Sequence, residues 1–78
     1  MKDLVQYLAK ALATNPDAVE ITETEDNGAS VLRLKVAKED LGRIIGKEGR
    51  TAKSIRALVN AAAAAHNRRV VLEISEEN

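Results

Sequence analysis

The spacing of apolar residues switches several times along this chain between the period of a helix and that of a strand. The first apolar set has helical spacing and consists of Leu4, Val5, Leu8, Ala9 and Leu12. Asn15-Pro16 predicts the end of this helix, because a residue that precedes proline disfavours helical dihedral angles. Strand-like alternation begins a few residues later, so the pattern predicts a mixed fold of helices and strands.

Two stretches of alternation predict a β-hairpin. Residues 19–22 read Val-Glu-Ile-Thr, and residues 32–36 read Leu-Arg-Leu-Lys-Val. Each stretch places apolar and polar side chains on opposite faces of a strand. Residues 26–28 read Asp-Asn-Gly, a turn signal, since Asn and Gly tolerate positive φ. We therefore expect the two strands to pair antiparallel.

The middle of the chain predicts two helices separated by a glycine-containing break at residues 46–49. The first helix runs from Lys38 to Ile45 in this interpretation, and the second from Arg50 to about His66. The side chains expected to face inward are Leu41, Ile44 and Ile45 on the first helix, and Ala52, Ile55, Leu58, Val59 and Ala62 on the second. The alanine run at 61–65 has high helix propensity and little bulk, which suits close packing.

The C-terminal part predicts one more strand, where residues 70–75 alternate, and then a polar tail at 76–78. The order of elements is then α-β-β-α-α-β. No linker or repeat divides the chain, so we expect residues 1–78 to form a single domain. Three strands and three helices predict an α+β fold in which a three-stranded sheet packs against three helices.

The net charge of zero hides strong segregation of charge along the chain. Residues 1–32 carry two basic and six acidic side chains, residues 33–69 carry ten basic and three acidic ones, and residues 70–78 carry three acidic ones. The basic middle predicts a local anion-binding surface, although a charge run alone is more often a solvated face. The neutral total argues against indiscriminate coating of nucleic acid.

The small size and the absence of cysteine limit how the chain is stabilised and which sites it can build. A domain of this length buries only about 60% of its unfolded surface, so a partner subunit is a reasonable expectation. We predict no metal site and no cofactor, because the chain has no Cys and His66 has no companion ligands. No apolar stretch reaches membrane-spanning length and no cleavage signal is evident, so we expect a cytoplasmic protein.

The most informative motif lies in residues 41–56, which read Leu-Gly-Arg-Ile-Ile-Gly-Lys-Glu-Gly-Arg-Thr-Ala-Lys-Ser-Ile-Arg. Its glycines do not fit a P-loop, because Gly46-Lys47 lies too close to Gly42 and is followed by Glu48 instead of Ser or Thr. They do not fit the Gly-x-Gly-x-x-Gly pattern of dinucleotide-binding folds either. What fits is Gly-x-x-Gly between two helices, preceded by Ile-Ile and followed by a basic amphipathic helix.

This helix–GXXG–helix unit resembles the KH domain, which clamps single-stranded nucleic acid. The extra helix and strand on its N-terminal side resemble type II KH domains, and the whole chain resembles the bacterial single-KH-domain proteins of the KhpA (YlqC) family. The resemblance implies a type II KH domain that binds single-stranded RNA and acts as an RNA chaperone or post-transcriptional regulator. It also implies a homodimer, or a heterodimer with a second KH-containing protein.

Residues of the motif are the candidates for RNA contact. Two glycines let a ligand backbone come close, and the loop precedes a helix N-terminus that favours phosphate. A carboxylate in such a loop is expected to repel RNA and to lower the affinity. At least one of the two isoleucines is expected in the core instead of on a groove floor. The predicted RNA-binding set is Gly46, Lys47, Glu48, Gly49, Arg50, Lys53, Arg43, Ile44 and Ile45.

Other charged residues are assigned ordinary roles. Arg68 and Arg69 are expected to cap the C-terminal end of the long helix, where cations are favoured. Arg56 is a weaker candidate for RNA contact because it lies farther along the helix. The acidic residues between 17 and 26 are interpreted as solvated surface.

Two rival functions are weighed against RNA binding. One is a KH-fold protein-interaction (dimerisation) module with incidental RNA binding, favoured by the neutral net charge and the alanine-rich helix. The other is an enzyme, which we do not predict, because no nucleophile–base pair is present and the single His lies at a helix end. Tyr7 is the only aromatic residue, which argues against modules that stack bases on aromatic side chains.

Overall fold

In the computed structural model, which describes residues 1–76, a three-stranded sheet carries helices on one face. The elements in chain order are α1 (Lys2–Leu12), β1 (Glu20–Asp26), β2 (Ala29–Val36), α2 (Lys38–Ile45), α3 (Arg50–Ala65) and β3 (Val70–Glu76). Short 3-10 turns at Pro16–Ala18 and Lys47–Gly49 join α1 to β1 and α2 to α3. The predicted α-β-β-α-α-β order and the α+β fold class are confirmed.

The sheet has the order β1-β2-β3, so β2 is its central strand. β1 pairs antiparallel with β2, and β3 pairs parallel with β2, with Ser30 opposite Val70 and Val36 opposite Glu76. Parallel neighbours cannot be joined by a tight turn and need a crossover connection. The crossover here consists of α2, the glycine loop and α3, so the topology of the sheet places this unit on its helical face.

The hairpin between β1 and β2 closes as predicted. Asp26 and Ala29 are opposite each other, and Asn27 and Gly28 form the two-residue turn between them. Their φ values are 53° and 79°, which is the pair of positive angles that a type I′ turn requires. The turn residues thus fix the register that keeps the apolar side chains of β2 on one face.

The core lies between the sheet and the helices. Leu32, Leu34 and Val36 of β2 have no exposed surface, while Arg33 and Lys35 face solvent on the other side. The other buried apolar residues of this core are Val5, Ala9, Val19, Ile21, Ile44, Ile55, Val59, Ala63, Val70 and Leu72. Within residues 1–76, no helix covers the opposite face of the sheet, which we call the outer face.

Leu58, which was predicted to face inward, is exposed, and so is Leu12 from the helically spaced apolar set of α1. Leu12 at the end of α1 is 38% exposed, and Leu58 on α3 is 54% exposed. The buried line of α3 instead runs through Ala52, Ile55, Val59 and Ala63. A helix with apolar residues on more than one side gives several possible inward stripes, and the sheet contacts only one of them.

The predicted cap at the end of α3 was wrong. The last turn is closed by the backbone: Asn67 has φ 54°, its N–H donates to Ala64 O, and the N–H of Arg68 donates to Ala63 O. This is a Schellman motif with Asn in the left-handed position. The Arg68 side chain turns to the hairpin instead, where Nη2 donates to Ser30 Oγ at 2.8 Å.

The C-terminal boundary also differs from the prediction by one residue. Glu76, assigned to the polar tail, is the last residue of β3 and is opposite Val36. The rest of the predicted tail lies outside the described residues. Within residues 1–76, none of the helices combines the length and the apolar character that a membrane-crossing helix needs.

A buried carboxylate fastens the first turn of α2 to the segment that follows α1. Asp40 has no exposed surface. Its Oδ1 accepts hydrogen bonds from Thr14 Oγ1 at 2.7 Å and Thr14 N at 2.9 Å, and its Oδ2 accepts one from Asn15 N at 2.9 Å. The Thr14 hydroxyl, followed by the backbone N–H groups, lowers the pKa of Asp40 below its ordinary value of 3.8, and burial opposes this only partly.

We expect Asp40→Asn to destabilise the fold at neutral pH, because the amide NH2 replaces one acceptor and leaves a backbone N–H without a partner. The expected fall in Tm is on the order of 5–10 °C. A lowered pKa means that the carboxylate stabilises the fold fully above about pH 4 and loses this effect as the pH falls through the folded-state pKa.

The difference in unfolding free energy between wild type and Asp40→Asn should therefore shrink below about pH 4, measured by urea denaturation across pH. Glu39→Gln is the control, since Glu39 is exposed one residue away. A difference that stays constant with pH, or an equal loss in the control, would contradict the assignment.

Candidate nucleic-acid interface

The loop between α2 and α3 starts at a glycine that no other residue can replace without strain. Gly46 has φ 80° and ψ 171°, a region that is essentially restricted to glycine. Its N–H donates to Gly42 O at 2.8 Å and closes α2. A Cβ at this position would lie 2.8 Å from the backbone nitrogen of Thr51, so the absence of a side chain lets the first turn of α3 pack against the loop.

The second glycine of the loop leaves open space at the start of α3. Gly49 has φ 74° and ψ 12°, and a Cβ built on it would meet nothing within 4 Å. Its N–H donates to Gly46 O at 3.1 Å, which closes the loop into one tight turn. No side chain caps the N-terminus of α3. The N–H of Arg50, the first residue of α3, donates to Lys47 O. The positive end of the helix dipole faces an anion that approaches past Gly49.

The two residues between the glycines carry opposite charges, and both are exposed. Glu48 has φ 56° and ψ 26°, a left-handed conformation that costs a residue with a Cβ about 1–2 kcal/mol. Its Oε2 lies 3.9 Å from Arg50 Nη2. An exposed ion pair of this length is weak, so Arg50 can exchange this carboxylate for a phosphate at little cost.

The structure places the other predicted site residues in two environments. Arg43, Arg50 and Lys53 are exposed around the loop, and no acidic residue occupies the first turn of α3. Ile44 is fully buried in the core and Ile45 is partly buried. The expectation that at least one isoleucine lies in the core is confirmed, and Ile44 offers no surface to a ligand.

A groove lies between the middle of α3 and the first residues of β3. It has a volume of about 200 Å³ and is lined by Arg56, Val59, Asn60, Val70, Val71 and Leu72. Arg56 Nε donates to Leu72 O at 3.4 Å and ties the helix to the edge strand. The sequence analysis missed the contribution of β3, because strand alternation shows that Val71 faces away from the core but not that α3 lies beside it.

Two separate surfaces of α3 remain exposed. At 100° per residue, Lys53, Arg56 and Asn60 fall within about 60° of one another, and the bond from Arg56 to β3 identifies this side as the groove side. Leu58 and Ala61 lie on a second flank, whose centre is about 140° around the helix axis from the centre of the groove side. One helix therefore offers a basic side next to the loop and a separate apolar side.

Sequence comparison agrees with this geometry. The family model described as KhpA/KhpB, KH domain, matches residues 2–74. The chain belongs to this family. Its members include proteins that match nearly the whole chain, so the relationship covers the sheet, all three helices and the glycine loop.

Three relatives illustrate the similarity, and each is named RNA-binding protein KhpA. The relative from Caldanaerobacter subterraneus subsp. tengcongensis is 51% identical over 74 residues, which cover 95% of this chain and 99% of the relative. The Clostridium acetobutylicum relative is 49% identical over the same coverage. The Chlamydia pneumoniae relative is 47% identical over 99% of both chains. Membership in this non-enzymatic family confirms the prediction that the chain is not an enzyme.

We expect Gly46→Ala to destabilise the protein by about 2–4 kcal/mol, because it combines a φ/ψ pair that is open only to glycine with a clash against the backbone of Thr51. Gly49→Ala is the matched control, since it has a positive φ and open space, and should cost about 1–2 kcal/mol. Urea denaturation measures both. Equal losses, or a larger loss for Gly49→Ala, would show that the contact with Thr51 does not constrain the loop.

Proposed function

We propose that this protein binds single-stranded RNA, with the phosphodiester backbone held by Gly46-Lys47-Glu48-Gly49. The observation that carries the proposal is the pair of positive-φ glycines at an uncapped helix N-terminus, surrounded by cations. A phosphate is favoured at the N-terminus of a helix by the helix dipole. Relatives that are named RNA-binding proteins support the choice of ligand.

About four nucleotides would lie along the loop and the α3–β3 groove, in the manner of a type II KH domain. Lys47, Arg50 and Lys53 would contact phosphates, with Arg43 bordering the loop and Ile45 offering part of its side chain. The contact area is small, so the affinity is expected to be weak and to fall with salt. Weak, sequence-tolerant binding is consistent with a role as a cytoplasmic RNA chaperone or post-transcriptional regulator.

Fluorescence anisotropy with a short single-stranded RNA at two salt concentrations tests the clamp. A double variant, Lys47→Asp with Glu48→Asp, keeps both glycines and should bind at least about tenfold more weakly, a loss of about 1.4 kcal/mol. Lys10→Asp makes the same change in net charge on α1 and should leave the affinity nearly unchanged. If the loop variant binds like wild type while both remain folded, the loop is not the clamp.

A second role, pairing with another KH module, is favoured by the apolar side of α3. Leu58 is 54% exposed there, and the neighbouring Ala61 and Ala65 present little bulk, so a second helix can approach closely. The occupant we propose is a second copy of this chain, with a second KH-containing protein as the alternative. Because this side is separate from the groove side, pairing would join two RNA sites and raise avidity.

Sedimentation velocity at micromolar concentration should show a dimer for wild type. Leu58→Gln combined with Ala61→Gln places uncharged bulk on the contact and should weaken pairing at least about tenfold. Tyr7→Gln, which removes a large exposed apolar side chain on α1, is the control and should leave the dimer intact. A wild-type monomer throughout would exclude self-pairing and leave only the heterologous partner.

A further inference from the structure

The glycine loop and the α3–β3 groove do not use Arg69, the last cation of the basic stretch at residues 33–69. We infer that a longer RNA strand continues from the groove over the edge of β3, and that Arg69 binds one of its phosphates on the outer face of the sheet. This inference rests on the proposed RNA binding and extends it by a second backbone contact.

The two adjacent arginines before β3 have different environments. Arg68 is committed to the fold: its Nη2 lies 2.8 Å from Ser30 Oγ and 3.3 Å from Glu25 Oε1. Arg69 is exposed and forms no ion pair within residues 1–76. Successive residues at the start of a strand point to opposite faces, which agrees with Arg69 on the outer face. Arg69 therefore has a charge that the fold does not neutralise.

Arg69 borders an open depression on the outer face. The depression has a volume of about 220 Å³ and is lined by Asp26, Asn27, Ala29, Val31, Arg69 and Val71. Val71 is 42% exposed and also lines the α3–β3 groove. β3 is an edge strand, so a ligand passes from the groove to the depression over Val71 without crossing another strand.

The length of α3 determines how long an RNA must be to reach both the glycine loop and Arg69. The glycine loop precedes α3 and Arg69 follows it by four residues. A helix of 16 residues is about 24 Å long. The backbone that the loop holds is about four nucleotides long, so Arg69 contacts flanking nucleotides and not those in the clamp.

Charge favours an RNA backbone as the occupant. Lys53 and Arg56 lie on the groove side of α3. Arg69 lies past the end of the helix and adds a third cation to this series. A planar guanidinium is well suited to phosphate. Asp26 lines the same depression and repels an anion, which means that neutralising it should have the opposite effect to neutralising Arg69.

The experiment compares fluorescence anisotropy of a tetranucleotide and a dodecanucleotide of the same single-stranded RNA composition. Arg69→Gln should weaken binding of the long RNA by about threefold to tenfold and flatten its dependence of log K on log salt by about 0.7. The tetranucleotide should be unaffected. Asp26→Asn should tighten binding of the long RNA only.

Lys35→Gln is the matched control, because it removes one exposed cation from the outer face away from the depression. Equal effects of Arg69→Gln and Lys35→Gln would reduce the result to a general charge effect and overturn the inference. An Arg69→Gln protein that binds both RNA lengths like wild type would also overturn the inference. An acidic protein segment would then be the favoured occupant of the depression. Failure of the wild type to bind either RNA would instead refute the proposed RNA binding itself.

Discussion

The parallel pairing of β2 with β3 is the constraint on which the rest of the structure depends. Two parallel strands need a crossover, and all of α2, the glycine loop and α3 belong to that connection. The apolar face of β2, with Leu32, Leu34 and Val36 fully buried, holds the crossover against the sheet. Because the strand pairing fixes both ends of the crossover, the helices that flank the loop are held against the sheet and the loop between them has a defined position.

Local strain is concentrated where the proposed ligand contacts lie. Gly46 adopts a conformation that only glycine tolerates, and Glu48 has a positive φ despite its Cβ. Strained dihedral angles persist only when the surroundings impose them. Here the end of α2 and the start of α3 impose them, and Asp40 anchors α2 from its other end through Thr14 and Asn15.

The neutral net charge is compatible with an anion-binding surface because the fold separates the charges in space as the sequence separates them along the chain. β1 lies at one edge of the sheet and carries exposed acidic side chains, whereas the cations of α3 lie beside β3 at the other edge. α3 itself has a basic side and an apolar side. RNA binding and pairing are therefore geometrically compatible proposals, and neither needs the surface that the other uses.

The sequence by itself determined the order of elements, the hairpin turn at Asn27-Gly28 and the glycine loop, because periodicity and dihedral preference are local properties of the chain. It also carried the family resemblance, through the loop and its flanking helices. Tertiary structure alone decided which apolar stripe of α3 is buried, leaving Leu58 exposed, and which partner Arg68 takes. It also decided that Asp40 is buried and that Val71 joins a groove to the outer face. These outcomes depend on which surfaces meet across the fold, and that information is absent from the spacing of residues within one element.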